Sequence, residues 1–396
     1  MKIGIVTIYY GNMNYGANLQ AYALCEAIRK IDPSYQVEQI SYHMTPKKKR
    51  IQVSGLSVFQ FLMKGIRFVW RRTVGRLFKF LSSLKYRGYR ANLARREAVI
   101  AWFNQNRIPH SRVYNDDTID EAAREYDAFI AGSDQVWNPL WYTPAYRLDF
   151  VPQGKIKFSY AASISRESLS EEEQIVFRQS LSEYTAVSVR EKRAVELLAP
   201  LVPKEIEWVV DPTLLLSRED WDMVAIERLI PEKYVFCYFL GDGIAERELA
   251  AAYARVHGLL VVTIPFLLGT PRKCDIDFGD KQLYEIAPSD FLSLIKHAEC
   301  IFTDSFHATL FSGIYHRQYI AFGRSLGGHS MSSRLQSLLS LYEAEDHFCD
   351  TSEKATVAYI EALPAIDYTR HLGRLEELKA RSLLFLRKGL EKAEMQ

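Results

Sequence analysis

The chain has 396 residues, of which 48% are apolar and 25% charged, with five cysteines and a formal net charge of +2. This length and balance exclude an intrinsically disordered chain and suit two domains, each able to bury a core. Cys25, Cys237, Cys274, Cys300 and Cys349 are odd in number, far apart and without a C-x-x-C pair, so neither a disulfide framework nor a zinc site is expected and a reducing cytoplasm is the natural setting.

Strand-like apolar runs alternate with helical periodicity, which predicts α/β architecture with largely parallel sheets flanked by helices. The opening run, Met1 to Thr7, reads as a core strand and is too short for a secretory signal. No stretch reaches the roughly 18 to 20 apolar residues of a spanning helix. In the first half, strands are expected at Ile3–Ile8, Gln36–Ser41, Asp127–Ala131, Lys157–Ala161 and Ala186–Val189. Helices follow Asn18, cover Ala91–Asn106 and run Ser170–Ser182, the last opened by a Ser-Glu-Glu-Glu capping-box signal. Ile206–Val210 leads into Asp211-Pro212-Thr213, read as a hinge. In the second half, strands Tyr234–Leu240 and Leu259–Ile264 flank a helix at Ala245–His257. A helix from Ser289, strand Cys300–Thr303, helix 306–316 and strand Tyr319–Phe322 follow. The expected domains are 1–207, 208–369, and a final helix at 370–396 packing back over the first domain.

The small net charge conceals a segregation, because residues 39–96 contain fifteen Lys and Arg and no Asp or Glu. Within a basic insert at about 46–96, Leu62, Ile66, Val69, Trp70, Leu77 and Phe80 share one side of a helical projection opposite Lys64, Arg67 and Arg71. This is the pattern of a helix on an anionic membrane surface. An ordinary helix with a solvated basic face gives the same pattern, and no recognised nucleic-acid motif accompanies the charge.

In parallel α/β sheets, ligands bind beyond the carboxyl ends of the strands. There the first strand runs into Gly11-Asn-Met-Asn14-Tyr15-Gly16-Ala-Asn18, the third into Gly132-Ser-Asp134-Gln135-Val-Trp137-Asn138, the fourth into Ala162-Ser163 and the fifth into Arg190-Glu191. Loops rich in Asp, Gln, Asn, Tyr and Trp suit a sugar, whose hydroxyls need directional partners and whose C–H face packs on rings. The strand at Cys300–Thr303 breaks into a helix capped by Asp304 or Ser305, with His307 in its first turn beside N–H groups that favour anions. Arg190 at a crevice mouth needs an anionic partner, either a ligand or an internal carboxylate such as Glu191.

Five blocks in this order resemble the polysaccharide pyruvyl transferase family over nearly the whole chain. They are Asn14-Tyr-Gly-Ala-Asn-Leu-Gln-Ala21, Gly132-Ser-Asp-Gln-Val-Trp-Asn-Pro139, Ser188-Val-Arg-Glu191, Asp211-Pro-Thr-Leu-Leu215 and Thr303-Asp-Ser-Phe-His307. The resemblance implies two Rossmann-like domains facing across a cleft, as in GT-B glycosyltransferases. It implies phosphoenolpyruvate as donor and a terminal sugar of a bacterial glycan as acceptor, with pyruvate installed as a cyclic ketal. It also places Arg190 and His307 in the donor site. Ala308 stands where many relatives have glycine, which narrows the backbone's approach to phosphate.

These residues suit that donor, which needs a fork-shaped cation, further positive charge and unpaired N–H groups. Arg190 is expected to supply the fork, and Arg324 and Arg334 to flank a Gly/Ser-rich loop able to close over the donor. His307 is the expected general acid or electrostatic stabiliser, its protonation coupled to binding of the trianionic donor, and Asp134 the base or an acceptor-orienting group. Asn14, Tyr15, Asn18, Asp134, Gln135 and Ser163 are the expected acceptor contacts. No cofactor or metal is expected, and the partners are phosphoenolpyruvate, a glycan or lipid-linked oligosaccharide and the inner membrane surface, without nucleic acid. The rivals are a GT-B glycosyltransferase using a nucleotide sugar, whose base and ribose pocket has no signature here, and a non-catalytic glycan-binding protein.

Overall fold

A computed structural model describes the chain apart from residues 45–87, 142, 270, 327–328, 331–332, 350–355, 371 and 396. The amphipathic pattern around Leu62 to Phe80 thus lies outside the described residues. The first domain carries strands β1 (Lys2–Val6), β2 (Gln36–His43), β3 (His110–Asn115), β4 (Ala128–Ala131) and β5 (Ile156–Ser159), all parallel in the order β3-β2-β1-β4-β5. Isolated bridges from Phe158 to Ala186 and from Ala162 to Val189 continue this sheet into β6 (Val187–Val189) and β7 (Ile206–Trp208). The second sheet contains β8 (Tyr234–Tyr238), β9 (Leu260–Thr263), β10 (Lys281–Gln282), β11 (Cys300–Thr303), β12 (Gln318–Phe322) and, after a short hairpin of β13 (Ser325–Leu326) and β14 (His329–Ser330), β15 (Phe348–Cys349). Its order is β10-β9-β8-β11-β12-β15, again parallel.

Both sheets are doubly wound, and each reverses its strand order between its first and fourth strands. Helices cover them: α1 (Tyr15–Ile31), α2 (Tyr89–Arg107), α3 (Glu171–Ser182), α4 (Lys192–Leu198), α5 (Ile244–Val256), α6 (Pro288–Lys296), α7 (Phe306–Ile314), α8 (Ser333–Leu339) and α9 (Leu372–Glu394). The capping box forms at α3, where Ser170 and Glu173 each accept the other's backbone N–H. α9 returns to the first sheet, with Leu386 and Leu390 packed beside Ile3, Ile5 and Phe158. Its Ser382 hydroxyl accepts from the amide of Val210 at 3.0 Å.

Differences from the sequence reading have local causes. α1 begins at Tyr15 instead of after Asn18, because the Asn14 side chain caps the amide of Gly16 at 3.0 Å. β8 stops at Tyr238 because the amides of Leu240 and Gly241 turn to the two carboxylate oxygens of Asp304 at 2.7 and 2.6 Å. β3 was not expected: it is an edge strand whose residues are mostly polar and exposed, so it lacks an apolar run.

The two domains are joined by packing as well as by the chain. Tyr15 of α1 stacks on Phe291 of α6 at 4.9 Å between ring centres, and Trp221 sits between Tyr22 and Phe311. From α2, the buried Arg96 donates to the carbonyls of Pro265, Leu283 and Tyr284 in the second domain at 2.7, 3.0 and 2.8 Å. One guanidinium therefore satisfies three carbonyls beyond β9 and β10, and fixes the width of the cleft between the sheets. Arg96→Met leaves those carbonyls unbonded and is expected to cost about 1–3 kcal/mol in urea unfolding. The neighbouring exposed Arg95→Met should stay within about 0.5 kcal/mol of the parent.

Candidate functional site

The reversal points of the two sheets face each other, so four loops converge: those after β1 and β4 from one side, and after β8 and β11 from the other. Between them lies a cleft of about 490 Å³ lined by Asn14, Asp134, Gln135, Gly241, Arg272 and Arg324 among others. Beside it is a buried charge cluster built on Asp211, whose carboxylate is 1% exposed. Oδ2 of Asp211 accepts from Nη1 of Arg190 at 2.7 Å and from Oγ of Ser133 at 3.1 Å. The same oxygen lies 3.7 Å from Nε2 of His307, beyond hydrogen-bond range and an ion pair only when the imidazole is protonated. Its Oδ1 accepts the hydroxyl and amide of Thr213 at 2.7 and 3.1 Å, capping the turn that follows. Burial pushes the Asp211 carboxyl up, but the neighbouring His307 and Arg190 and the Thr213 amide outweigh it and hold it well below the usual carboxylate range.

Arg190 and His307, 117 positions apart, thus meet on one carboxylate. The geometry differs from the expected donor clamp in one respect. Both terminal nitrogens of Arg190 are occupied, since Nη2 also donates to Oδ1 of Asp134 at 3.0 Å, so its fork is spent on two internal carboxylates. Glu191, the other candidate partner, instead accepts from the hydroxyls of Ser163 and Ser165 and the amides of Ile164 and Ser165, tying down the loop after β5. The face of Arg190 lies over the Phe306 ring at 4.6 Å, and Arg334 lies 5.9 Å from the same ring.

Arg334 stands apart from these pairs. It lies in the first turn of α8, is 6% exposed and makes no hydrogen bond or ion pair with a described residue. Burial, then repulsion from Arg324 and Arg190, push its guanidinium down to about 9 against the smaller opposing pull of Asp134 and Glu191, so it is still charged at neutral pH but has no carboxylate in ion-pair contact among the described residues. The first turn of α7 adds donors. Ser305 caps that helix by accepting from the Ala308 amide at 3.4 Å and its carbonyl takes the Thr309 amide, which leaves the amides of Phe306 and His307 without a partner among the described residues. Nε2 of His307 is likewise buried without a hydrogen-bond partner. Two arginines on the Phe306 ring, an imidazole and helix-start amides are groups of the kind that bind an anion.

The other expected residues divide. Asn14, Asp134, Gln135 and Arg324 line the cleft. Asp134 holds a left-handed φ of 70°, which an aspartate tolerates better than most residues. Tyr15 and Asn18 are committed to the fold instead: Tyr15 is buried in the domain interface, and Asn18 donates to the carbonyls of Asn12 and Asn14. Ser163 is fully buried against Glu191, and Ala308 is fully buried in the second core with its amide turned to the cap. Trp137 packs edge-on against Phe177 and Tyr184.

Two residues that carry the site were not read as functional in the sequence. Asp211 passed as a hinge, although a carboxylate at the end of a buried strand was a usable signal. Gly16 passed as a turn glycine. A Cβ there would overlap the imidazole of His307, so glycine lets α1 press against the ring and fix it.

Two doubly wound domains that face each other across a cleft define a GT-B-fold protein. The fold is shared with a putative UDP-N-acetylglucosamine 2-epimerase from Listeria monocytogenes, at a TM-score of 0.51 and 11% identity over 93% of this chain and 94% of that one. UDP-GlcNAc 2-epimerase from Methanocaldococcus jannaschii is similar at a TM-score of 0.49 and 11% identity, covering 93% of each chain. No curated protein sequence matches the chain. The profile of the family described as polysaccharide pyruvyl transferase matches residues 14–325, and the chain belongs to that family.

Two outcomes follow from this geometry. Gly16→Ala forces the imidazole from its place and should lower transferase turnover on the order of 100-fold, the scale of an ångström misplacement, in steady-state assays. Because the Asp211 carboxyl is depressed in the folded state, its contribution is complete above the unfolded value of about 4 and is lost as pH falls toward the folded one. The stability gap between the parent and Asp211→Asn, measured by chemical unfolding, should therefore be widest near neutral pH and narrow below about pH 4.

Proposed function

We propose that the protein transfers pyruvate from phosphoenolpyruvate to a terminal sugar of a bacterial glycan or its lipid-linked precursor, closing a cyclic ketal and releasing phosphate. The observation that carries this reading is Arg334, a buried guanidinium near those of Arg190 and Arg324 that itself makes no ion pair with a described residue. A site of this kind favours a compact ligand of high negative charge. Phosphoenolpyruvate presents a phosphate and a carboxylate a few atoms apart, matching Arg334 with the α7 amides for one group and Arg324 for the other. Arg190 supports the pocket by its charge and by holding Asp134 and Asp211.

In the reaction, the hydroxyl oxygen of the acceptor bonds to C2 of the donor while C3 gains a proton. His307 delivers that proton from Nε2, and Asp211 keeps the protonated imidazole in place through the 3.7 Å charge contact. Asp134, at the cleft wall, takes the proton of the attacking hydroxyl; its Oδ2 accepts no bond from a described residue. The tetrahedral carbon then loses phosphate with the C2–O electron pair. A second hydroxyl of the same sugar adds to C2 and loses its proton, which closes the ketal. Asp211 is a positioning residue in this scheme, since it acts through His307 and Arg190.

Phosphoenolpyruvate turnover against galactosides, glucosides and mannosides tests the reading. Phosphate should appear only with an acceptor, and the product should gain the mass of one pyruvic acid less one water. In the resting protein burial and the neighbouring arginines make the Arg334 charge oppose folding, so Arg334→Met should unfold at equal or higher temperature than the parent. The same variant should lose the stabilisation that phosphoenolpyruvate gives the parent. A variant that phosphoenolpyruvate still stabilises fully would remove Arg334 from the donor site.

A further inference from the structure

A second pocket, of about 660 Å³, lies on the flank of the first domain between the loop after β1, the ends of β2 and β3, and α2. Its volume falls within the roughly 300–1,000 Å³ of small-molecule sites. Asn12 lines both this pocket and the interdomain cleft. The shared wall is stiff, because Oδ1 of Asn12 accepts the amide of Asn14 at 2.9 Å and its carbonyl accepts from Asn18 at 3.1 Å. A ligand whose reacting end sits at Asp134 would therefore reach the pocket by passing over Asn12.

The lining chemistry selects the ligand. Tyr10 is 41% exposed and stands edge-on to Tyr9, whose hydroxyl is bonded to Ser41 at 2.7 Å. One ring face is therefore presented on a fixed support. Asn104 and Gln105 of α2 add amide groups, and Oδ1 of Asn104 is buried with no hydrogen-bond partner. The guanidinium that borders the pocket, Arg112, is already taken by Glu121 at 2.6 Å and Glu125 at 3.0 Å, while Glu97 adds a negative charge. Unlike the cluster around Arg334, these described residues offer a phosphate or carboxylate no spare arginine or lysine. An aromatic face, amide donors and acceptors, and no excess positive charge suit a neutral polyhydroxyl ring.

We propose that this pocket binds the second sugar unit of the acceptor, so that the protein recognises a disaccharide or longer glycan and modifies its terminal residue in the cleft. The assignment rests on the transferase reading for which ring is the terminal one, but binding itself requires no turnover. The experiment compares methyl glycosides of galactose, glucose and mannose with the matching β-linked disaccharides, by calorimetry and saturation-transfer NMR on the full chain. The best disaccharide should bind about tenfold more tightly than its methyl glycoside, with saturation reaching both rings. In the variant Tyr10→Ala/Gln105→Ala that ratio should collapse to about one and the second ring should lose its signal. Both side chains are exposed, and an unchanged melting temperature confirms that the variant is folded. Disaccharides that bind no better than methyl glycosides, or a ratio that survives in the variant, would overturn the assignment. A disaccharide that shows the preference and its loss but gains no pyruvate would refute the transfer chemistry and leave the subsite standing.

Discussion

Asp211 is the point through which the rest of the site is organised. One oxygen of this buried carboxylate meets the guanidinium that ends β6 in the first domain and the imidazole that opens α7 in the second. A lone carboxylate in that place would be costly, and so would a lone guanidinium. Together they are stable only if both domains bring their loops to the same spot, so the charge cluster and the domain arrangement specify each other. Arg96, spanning the cleft to three carbonyls, and Tyr15, stacked on Phe291, supply the packing that holds the loops there.

The cluster is balanced unevenly. Arg190 is paired with two acids, whereas Arg334 makes no ion pair with a described residue and is pushed down to about 9 by burial and by its fellow arginines, which Asp134 and Glu191 offset only in part. A protein keeps such a charge at a cost in stability, and an anion removes that cost when it binds. On the proposed reading, function lies in the difference between two arginines that look equivalent in the sequence: the paired one builds the wall, and the one outside any ion pair meets the ligand.

Much of the fold was legible from the sequence because parallel strands buried on both faces leave short apolar runs, and most helices between them are amphipathic. The capping box at Ser170 and the strand at Cys300–Thr303 fell where local chemistry put them. β3 escaped because an edge strand needs no apolar run. At the site, Arg190, His307 and Asp134 were visible as polar groups at strand and helix ends, and Arg334 as a cation on a Gly/Ser-rich loop. Their pairing was not, since which acid meets which base depends on contacts between residues far apart in the chain. Asp211 was hidden by the reading of Asp-Pro-Thr as a hinge, and Gly16 because a glycine's need for space against a distant ring leaves no trace in its own neighbourhood.

A crystal structure of the protein grown with phosphoenolpyruvate tests the central claim most directly. The account predicts the donor's phosphate or carboxylate in contact with Arg334 and the amides of Phe306 and His307, with Nε2 of His307 facing its enol carbon and Arg190 still paired to Asp134 and Asp211. A donor seated against Arg272 at the far wall of the cleft, with Arg334 untouched, would contradict it.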